Sequence, residues 1–493
     1  MRAVMVMYDT LNRRFLEPYG CDWVKTPNFR RLAEKALTMD NSYGGSLPTI
    51  PTRRELHTGR YNFLHRTWGP VEPFDDSVPA LLHANGVYTH LATDGYHYFE
   101  DGGMSYHNRY GSWEFFRGQE GDFWRGEVAT PEAPESVQDK GLKNRSWRHD
   151  LVNRKYMRKE QEWPQSQTFA AGLEFIRTNE SEDNWFLQIE TFDPHEPYYA
   201  PQKYRDLYPH EYDGPHWDWP AYKAVTTETP EQVQHIRYEC AALHSMCDAN
   251  LGRVLDIMDE FDMWKDTLLI VNTDHGFLMG EHGRFGKCNM PFYDEIVHTP
   301  LFIWDPRCGT KGERRQALVQ TIDLPATLME FFGLERTKDM QGKPLRETAA
   351  SDTPVREAGL FGLHGGHVNV TDGRYVYMRA PAKPENQPLY NYTLMPTHMR
   401  GFFSAENELC DIEMGGPFSF TKGHKVMKIL SGRWRDWHKQ GTLLFDLEQD
   451  PAQENPIEDE AIEKRMIELM VGLMKDNDCP PEQFERLGLS PTG

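Results

Sequence analysis

Four short apolar runs, each stopping abruptly before an acidic residue or a histidine, constrain this chain more than any other feature. Ala3 to Tyr8 ends at Asp9-Thr10, Val87 to Ala92 leads to Asp94-Gly95-Tyr96-His97, Trp185 to Ile189 leads to Asp193-Pro194-His195, and Thr267 to Val271 ends at Asn272-Thr273-Asp274-His275-Gly276. Runs this short, bounded by polar residues, read as buried parallel strands rather than as helices. In open α/β sheets ligands sit beyond the carboxyl ends of the strands, so these four ends are expected to converge on one site.

Between the runs the apolar spacing takes the helical period. Asn28 to Lys35, Val78 to Ala84, Ala249 to Asp262, and Gln167 to Arg177 with Phe169, Leu173, Phe175 and Ile176 are expected helices. Alternating strands and helices predict an α/β fold, a large mixed, mostly parallel sheet flanked by helices on both faces. After a strand at Pro300 to Trp304 and a helix at Leu324 to Phe332 the pattern changes. Tyr375 to Met378 and Thr442 to Leu447 read as half-exposed antiparallel strands, and Ala461 to Met474 as a helix with Met466 and Met470 on its apolar side. The expected division is a large domain over residues 1–350, with an aperiodic insertion at about 100–163, and a smaller C-terminal α+β domain with an antiparallel sheet over 351–493.

Composition narrows the partners. The 54 Lys and Arg against 75 Asp and Glu give a formal charge of -21, which repels polyanions and argues against a nucleic-acid partner. No apolar run approaches the roughly 20 residues that span a bilayer, and the N-terminus reads as a core strand rather than a leader, so no membrane partner is expected. Seven cysteines (21, 240, 247, 288, 308, 410 and 479), with no C-x-x-C pair, fit reduced thiols and a cytoplasmic protein.

The segment Gly44-Gly45-Ser46-Leu47-Pro48-Thr49-Ile50-Pro51-Thr52-Arg53 runs through a Gly/Pro-rich loop into a short helix, with Pro51 suited to its first turn and Gly59 to its end. Thr49 therefore lies just ahead of a helix N-terminus, where backbone N–H groups favour an anion. Arg53, one turn on, is placed to reach the same anion with its planar fork. Asp9, Asp274 and His275, at two strand ends, form a candidate site for one divalent cation. The oxygen-rich set suits a hard cation such as Ca²⁺ or Mg²⁺, Ca²⁺ being the expected ion, and His275 leaves Mn²⁺ or Zn²⁺ open.

The spacing Thr49-x-Pro51-x-Arg53, followed by Thr58-Gly59-Arg60, resembles the signature of the sulfatase family of the alkaline phosphatase superfamily. Asp9-Thr10-Leu11-Asn12-Arg13, Thr273-Asp274-His275-Gly276, Gly280-Glu281-His282-Gly283 with Gly286-Lys287, and Leu444-Phe445-Asp446-Leu447 resemble further landmarks of that family in their usual order. The resemblance implies an alkaline phosphatase-like fold and hydrolysis of a sulfate, phosphate or phosphonate ester of a small molecule or saccharide, with a homo-oligomer left open. It implies metal ligation by Asp9, Asp274 and His275, with Thr49 at the nucleophile position and also beside the metal. Arg53 matches the arginine that holds the catalytic residue, His97 a histidine near the leaving group, and His195 and Lys287 groups that bind the transferred anion.

The chain departs from the family pattern at three places. The nucleophile position carries Thr49, where the family has a Cys or Ser that is converted to formylglycine; Gly95 stands where a lysine is common; and Thr10 replaces a second acidic or amide residue. Three readings follow: a sulfate-ester hydrolase in which Thr49 substitutes for Cys or Ser, a phosphodiester or phosphonate monoester hydrolase with a native threonine nucleophile, and a catalytically silent binder of an anionic ligand. His364 and His367 are weighed between closing over the pocket and lying in a surface turn, while Arg117, Arg125 and the neighbouring aromatics are expected to fold the insertion.

Overall fold

A computed structural model of the chain describes residues 1–137, 145–432 and 436–491. Its main sheet has eight strands: β1 (Arg2–Tyr8), β2 (Leu37–Met39), β3 (Tyr88–Thr93), β4 (Ser112–Phe115), β5 (Trp185–Thr191), β6 (Thr267–Thr273), β7 (Leu301–Trp304) and β8 (Arg314–Arg315), in the order β8-β2-β7-β6-β1-β5-β3-β4. β1 pairs in parallel with β5 and β6, and β3 in parallel with β5 and β4; β7 runs antiparallel to β6 and β2. The sheet is thus mixed and mostly parallel, as the sequence predicts.

β1 is apolar from Ala3 onward because both of its faces are covered. Side chains alternate across a strand, so Val4, Val6 and Tyr8 pack with α1 (Pro27–Lys35), the helix Pro164–Thr178 and the helix Pro230–Glu260. Ala3, Met5 and Met7 face α2 (Ile50–Thr58), α3 (Val78–Ala84) and the helix Asp323–Phe331. We number the three later helices α4 (Pro164–Thr178), α5 (Pro230–Glu260) and α6 (Asp323–Phe331). α5 begins well before the expected Ala249. Thr229 and Gln232 form a capping box at its start, and its first half is buried on several sides by a separate cluster around Ile236, Leu243 and Met246, which blurs a one-sided apolar pattern.

Of the expected insertion at about 100–163, residues 138–144 lie outside the described residues. The rest is not simply an excursion, since it supplies β4, the edge strand of the main sheet. Arg117 pairs with Asp122 and stands over Phe115, while Arg125 stands over Trp124, so both help fold the segment.

C-terminal to the main sheet, β9 (Gly359–Gly362), β10 (Val368–Thr371), β11 (Tyr375–Arg379) and β12 (Leu443–Asp446) form an antiparallel sheet in that order. The expectation of half-exposed strands is corrected here. Tyr377 and Leu444 pack on Met466, Met470 and Met474 of α7 (Glu460–Asp476), whereas Val376, Met378 and Phe445 pack with Tyr43, Leu47 and Leu278 of the first 300 residues. β9 also bonds the loop before α2: Leu47 N–H donates to Gly362 O and Gly362 N–H to Gly45 O, both at 2.9 Å. Among the described residues no helix is long and apolar enough to cross a membrane.

Candidate active site

The four strands with acid- or histidine-bearing ends, β6, β1, β5 and β3, are consecutive at the centre of the sheet. Asp9 follows β1, Asp274 and His275 follow β6, His195 lies beyond β5 and His97 beyond β3. Asp94 and Asp193 turn away from the cavity and bond inward: Asp94 Oδ1 accepts from Phe192 N–H at 2.7 Å, and Asp193 Oδ2 from Gln165 Nε2 at 3.2 Å.

Thr49 is the residue ahead of α2, with φ 44° and ψ -88°. Positive φ is uncommon for a β-branched residue and marks stored strain. Its Oγ1 lies 3.2 Å from His275 Nε2. His275 Nδ1 is 3.0 Å from Gly276 O; with that N–H donating to the carbonyl, Nε2 carries the lone pair and accepts from the threonine hydroxyl. Burial, reinforced by the Lys287 charge, lowers His275 to about 3, so its ring is neutral at physiological pH.

Arg53 is almost wholly buried and engaged inward. Nε donates to Glu190 Oε1 at 2.7 Å, Nη1 to Asp274 Oδ2 at 2.8 Å and to Thr49 O at 3.1 Å, and Nη2 lies 3.0 Å from Asp9 Oδ2. The position of Arg53 one turn after Thr49 predicts a fork aimed at a bound anion; the fork is instead turned to three carboxyl groups and a carbonyl. Glu190 was missed, although a lone glutamate in the otherwise largely apolar strand β5 was a visible signal. Tyr98 Oη and Gln188 Nε2 also donate to Glu190.

Lys287 Nζ donates to Thr10 Oγ1 at 3.0 Å and lies 3.7 Å from Asp9 Oδ1. Thr10 Oγ1 in turn donates to Asp9 Oδ1 at 2.7 Å. His195 points Nδ1 at Glu196 O, and burial followed by the Lys287 charge holds its pKa well below the usual histidine range.

The ligand atoms of Asp9, Asp274 and His275 all lie within 4.8 Å of one another, and all three residues are buried. Burial and the Asp9 charge raise Asp274 to about 7, whereas for Asp9 the opposing effect of burial is outweighed by Arg53 and Lys287, which keep it well below the ordinary carboxylate range. Two buried carboxyl groups, Asp9 held ionised and Asp274 raised toward neutral pH, beside a neutral imidazole with an inward lone pair, fit a divalent cation.

Thr49, His97, His195 and Lys287 line one cavity of about 460 Å³. Trp68, Glu120, Tyr222, Cys288 and Arg400 line it too and were not anticipated. Glu120 has φ 48°, again unusual for a residue with a side chain. Neither expectation for His364 and His367 holds. Both are buried, with His364 Nδ1 on Phe63 O and His367 Nε2 on Gly441 O, and Leu363 reaches the cavity instead.

A sequence model of the family described as sulfatase matches residues 2–334, and one described as N-sulphoglucosamine sulphohydrolase, C-terminal, matches residues 280–408. The chain belongs to the sulfatase family of the alkaline phosphatase superfamily, hydrolases that act on ester bonds. It is similar to an arylsulfatase of Clostridium perfringens, 24% identical over 402 residues covering 73% of this chain and 81% of that protein. A choline-sulfatase of Rhizobium meliloti is 23% identical over 428 residues, 78% of each chain. In fold, it superimposes on a phosphonate monoester hydrolase of Agrobacterium radiobacter with a TM-score of 0.65 at 18% identity, covering 97% of this chain and 96% of that one.

Proposed function

We propose that the protein is a metal-dependent hydrolase of phosphodiesters or phosphonate monoesters in which Thr49 Oγ is the nucleophile. The observation that carries this reading is the approach of Thr49 Oγ1 to within 3.2 Å of His275 Nε2, which sets the hydroxyl beside the proposed cation ligands, inside the cavity that also receives Lys287, His195 and His97. Asp9, Asp274 and His275 would hold the cation, Ca²⁺ being the expected ion and Mg²⁺, Mn²⁺ or Zn²⁺ the alternatives. When bound, the cation supplies positive charge that lowers the pKa of a neighbouring hydroxyl and offsets charge on the ester's oxygens.

The chain's own residues do the rest. Arg53 fixes the backbone at residue 49, and Lys287 offsets charge gathering on the equatorial oxygens, with the neutral ring of His195 beside it in the cavity. The Thr49 Oγ–P bond forms as the ester P–O bond breaks; the threonine proton leaves to solvent and His97 gives its proton to the departing oxygen. Water then attacks phosphorus, passing one proton to the now neutral His97, and the Thr49 oxygen leaves and takes a proton from solvent. A formylglycine hydrate expels its ester by collapse through a second hydroxyl on the same carbon. Threonine has none, so the intermediate must be attacked at its central atom, a displacement phosphorus tolerates when charge is spread over the equatorial oxygens.

The test is turnover of 4-nitrophenyl phenylphosphonate, bis(4-nitrophenyl) phosphate and 4-nitrophenyl sulfate with added divalent cation. Phosphorus esters should turn over faster than the sulfate, Thr49→Ala should abolish both, and intact mass should detect a phosphoryl adduct on the peptide containing Thr49. Turnover retained in Thr49→Ala overturns the assignment. A second reading, a sulfate-ester hydrolase with Thr49 in place of Cys or Ser, is favoured by the similarity to an arylsulfatase and a choline-sulfatase. It predicts that Thr49→Cys, produced in a host that matures sulfatases, gains sulfate-ester hydrolysis.

A further inference from the structure

His97 is held from the far end of the chain. Thr397–His398 and Gly401–Phe402 pair as a short antiparallel hairpin, and Met399 and Arg400 at its turn both line the cavity. Backbone bonds seat this hairpin: Gly102 N–H donates to Met399 O at 3.0 Å and Met399 N–H to Trp68 O at 3.3 Å. Arg66 Nη2 donates to Thr397 O at 2.6 Å. A Cβ at position 102 would lie 2.5 Å from His398 O, so the close approach of the two backbones requires glycine there.

From the turn, Arg400 Nε donates to Glu100 Oε1 at 2.9 Å, and Glu100 Oε2 accepts from His97 Nδ1 at 3.0 Å. Arg400 Nη2 donates to Tyr96 Oη at 3.2 Å and lies 3.3 Å and 3.4 Å from the two ring nitrogens of His97. Trp68 packs edge-on against His97 with ring centroids 5.4 Å apart, and the Arg400 guanidinium stands 5.5 Å from the same indole. Glu100 is therefore pinned between a guanidinium and an imidazole, one on each oxygen. A histidine whose Nδ1–H is committed to a carboxylate has its ring fixed in one orientation, with the second proton of the imidazolium on Nε2.

We infer that Glu100 and Arg400 are positioning residues for His97, so that protonation of the leaving group requires the docked 397–402 hairpin. This rests on the function proposed above, in which the His97 Nε2 proton passes to the ester oxygen as its bond to phosphorus breaks and the ring returns to neutral. Arg400 acts through Glu100, and Glu100 acts through His97.

The test is a series of aryl phenylphosphonates from 4-nitrophenyl to 4-methoxyphenyl. A 4-nitrophenolate departs with little help from a proton, whereas a poorer leaving group needs it. Glu100→Ala and Arg400→Ala should each lower kcat/KM for the 4-methoxyphenyl ester about tenfold more than for the 4-nitrophenyl ester, and the double variant should be no worse than the worse single one. Arg400→Lys carries the same test if Arg400→Ala does not fold by near-ultraviolet circular dichroism. Equal losses across the series would make the pair structural and overturn the inference alone, as would no loss at all. A wild type inactive on every ester would instead sink the hydrolase reading on which it rests.

Discussion

Arg53 reaches back one helical turn to Thr49 and bonds its backbone carbonyl at 3.1 Å, leaving the hydroxyl to His275. The guanidinium thus sets where residue 49 sits, while its remaining N–H groups serve Glu190, Asp9 and Asp274. A lysine at 53 keeps the charge but cannot serve four oxygens in one plane. Arg53→Lys is expected to cost about 3 kcal/mol of stability, the scale of a broken buried ion pair, and at least about 2 kcal/mol of transition-state stabilisation. Urea unfolding and kcat/KM measure the two losses, and wild-type values for both would show the fork to be dispensable.

Asp274→Asn should lose cation uptake and turnover together, because it removes a buried oxygen charge from a set of three donors. Equilibrium dialysis with elemental analysis reads the first loss, and full occupancy in the variant would contradict the proposed site. In the wild type, Asp274 takes up a proton at about 7 when no cation replaces it. Protons and cation compete for that carboxyl, so cation affinity should rise with pH through about 7.

Glu55 is fully buried in α2 and burial raises it from 4.5 to about 8, against the opposing bond from Ser46. The unfolded chain ionises this group first, so between about 4.5 and 8 the native state binds more protons and stability falls as pH rises. Glu55→Gln keeps an acceptor for the Ser46 N–H and has no proton to lose. Melting curves from pH 5 to pH 8.5 should decline less steeply in the variant, by an amount on the order of a few kcal/mol. Parallel curves for the two proteins would show that Glu55 does not titrate differently on folding.

Met470 of α7 is buried against the C-terminal sheet whose strand β9 bonds the loop before Thr49. Met470→Ala is expected to destabilise the protein by about 2–5 kcal/mol through the cavity it leaves. Turnover should decline at lower temperature than in the wild type, because β9 helps seat that loop. A change in melting temperature with no such shift in the activity profile would separate the sheet from the site.

The sequence by itself determined the parts of this protein that depend on short-range periodicity. The runs ending at Asp9, His97, His195 and Asp274 declared themselves as strands because burial on both faces demands continuous apolar residues. Pro51 and Gly59 declared a short helix, and a turn of 3.6 residues placed Arg53 beside Thr49 at its start. That the four strands are consecutive in the sheet was left to packing, as was the meeting of Arg53 with Glu190, 137 residues apart. Nothing local to Arg400 indicates that it reaches His97, 303 residues away, and nothing in Tyr375 to Met378 reveals that both of its faces are covered. Local sequence specifies which backbone period a segment adopts and which side chains need burial. Which distant segments supply that burial, and therefore which charges meet, is decided only when the layers close on one another.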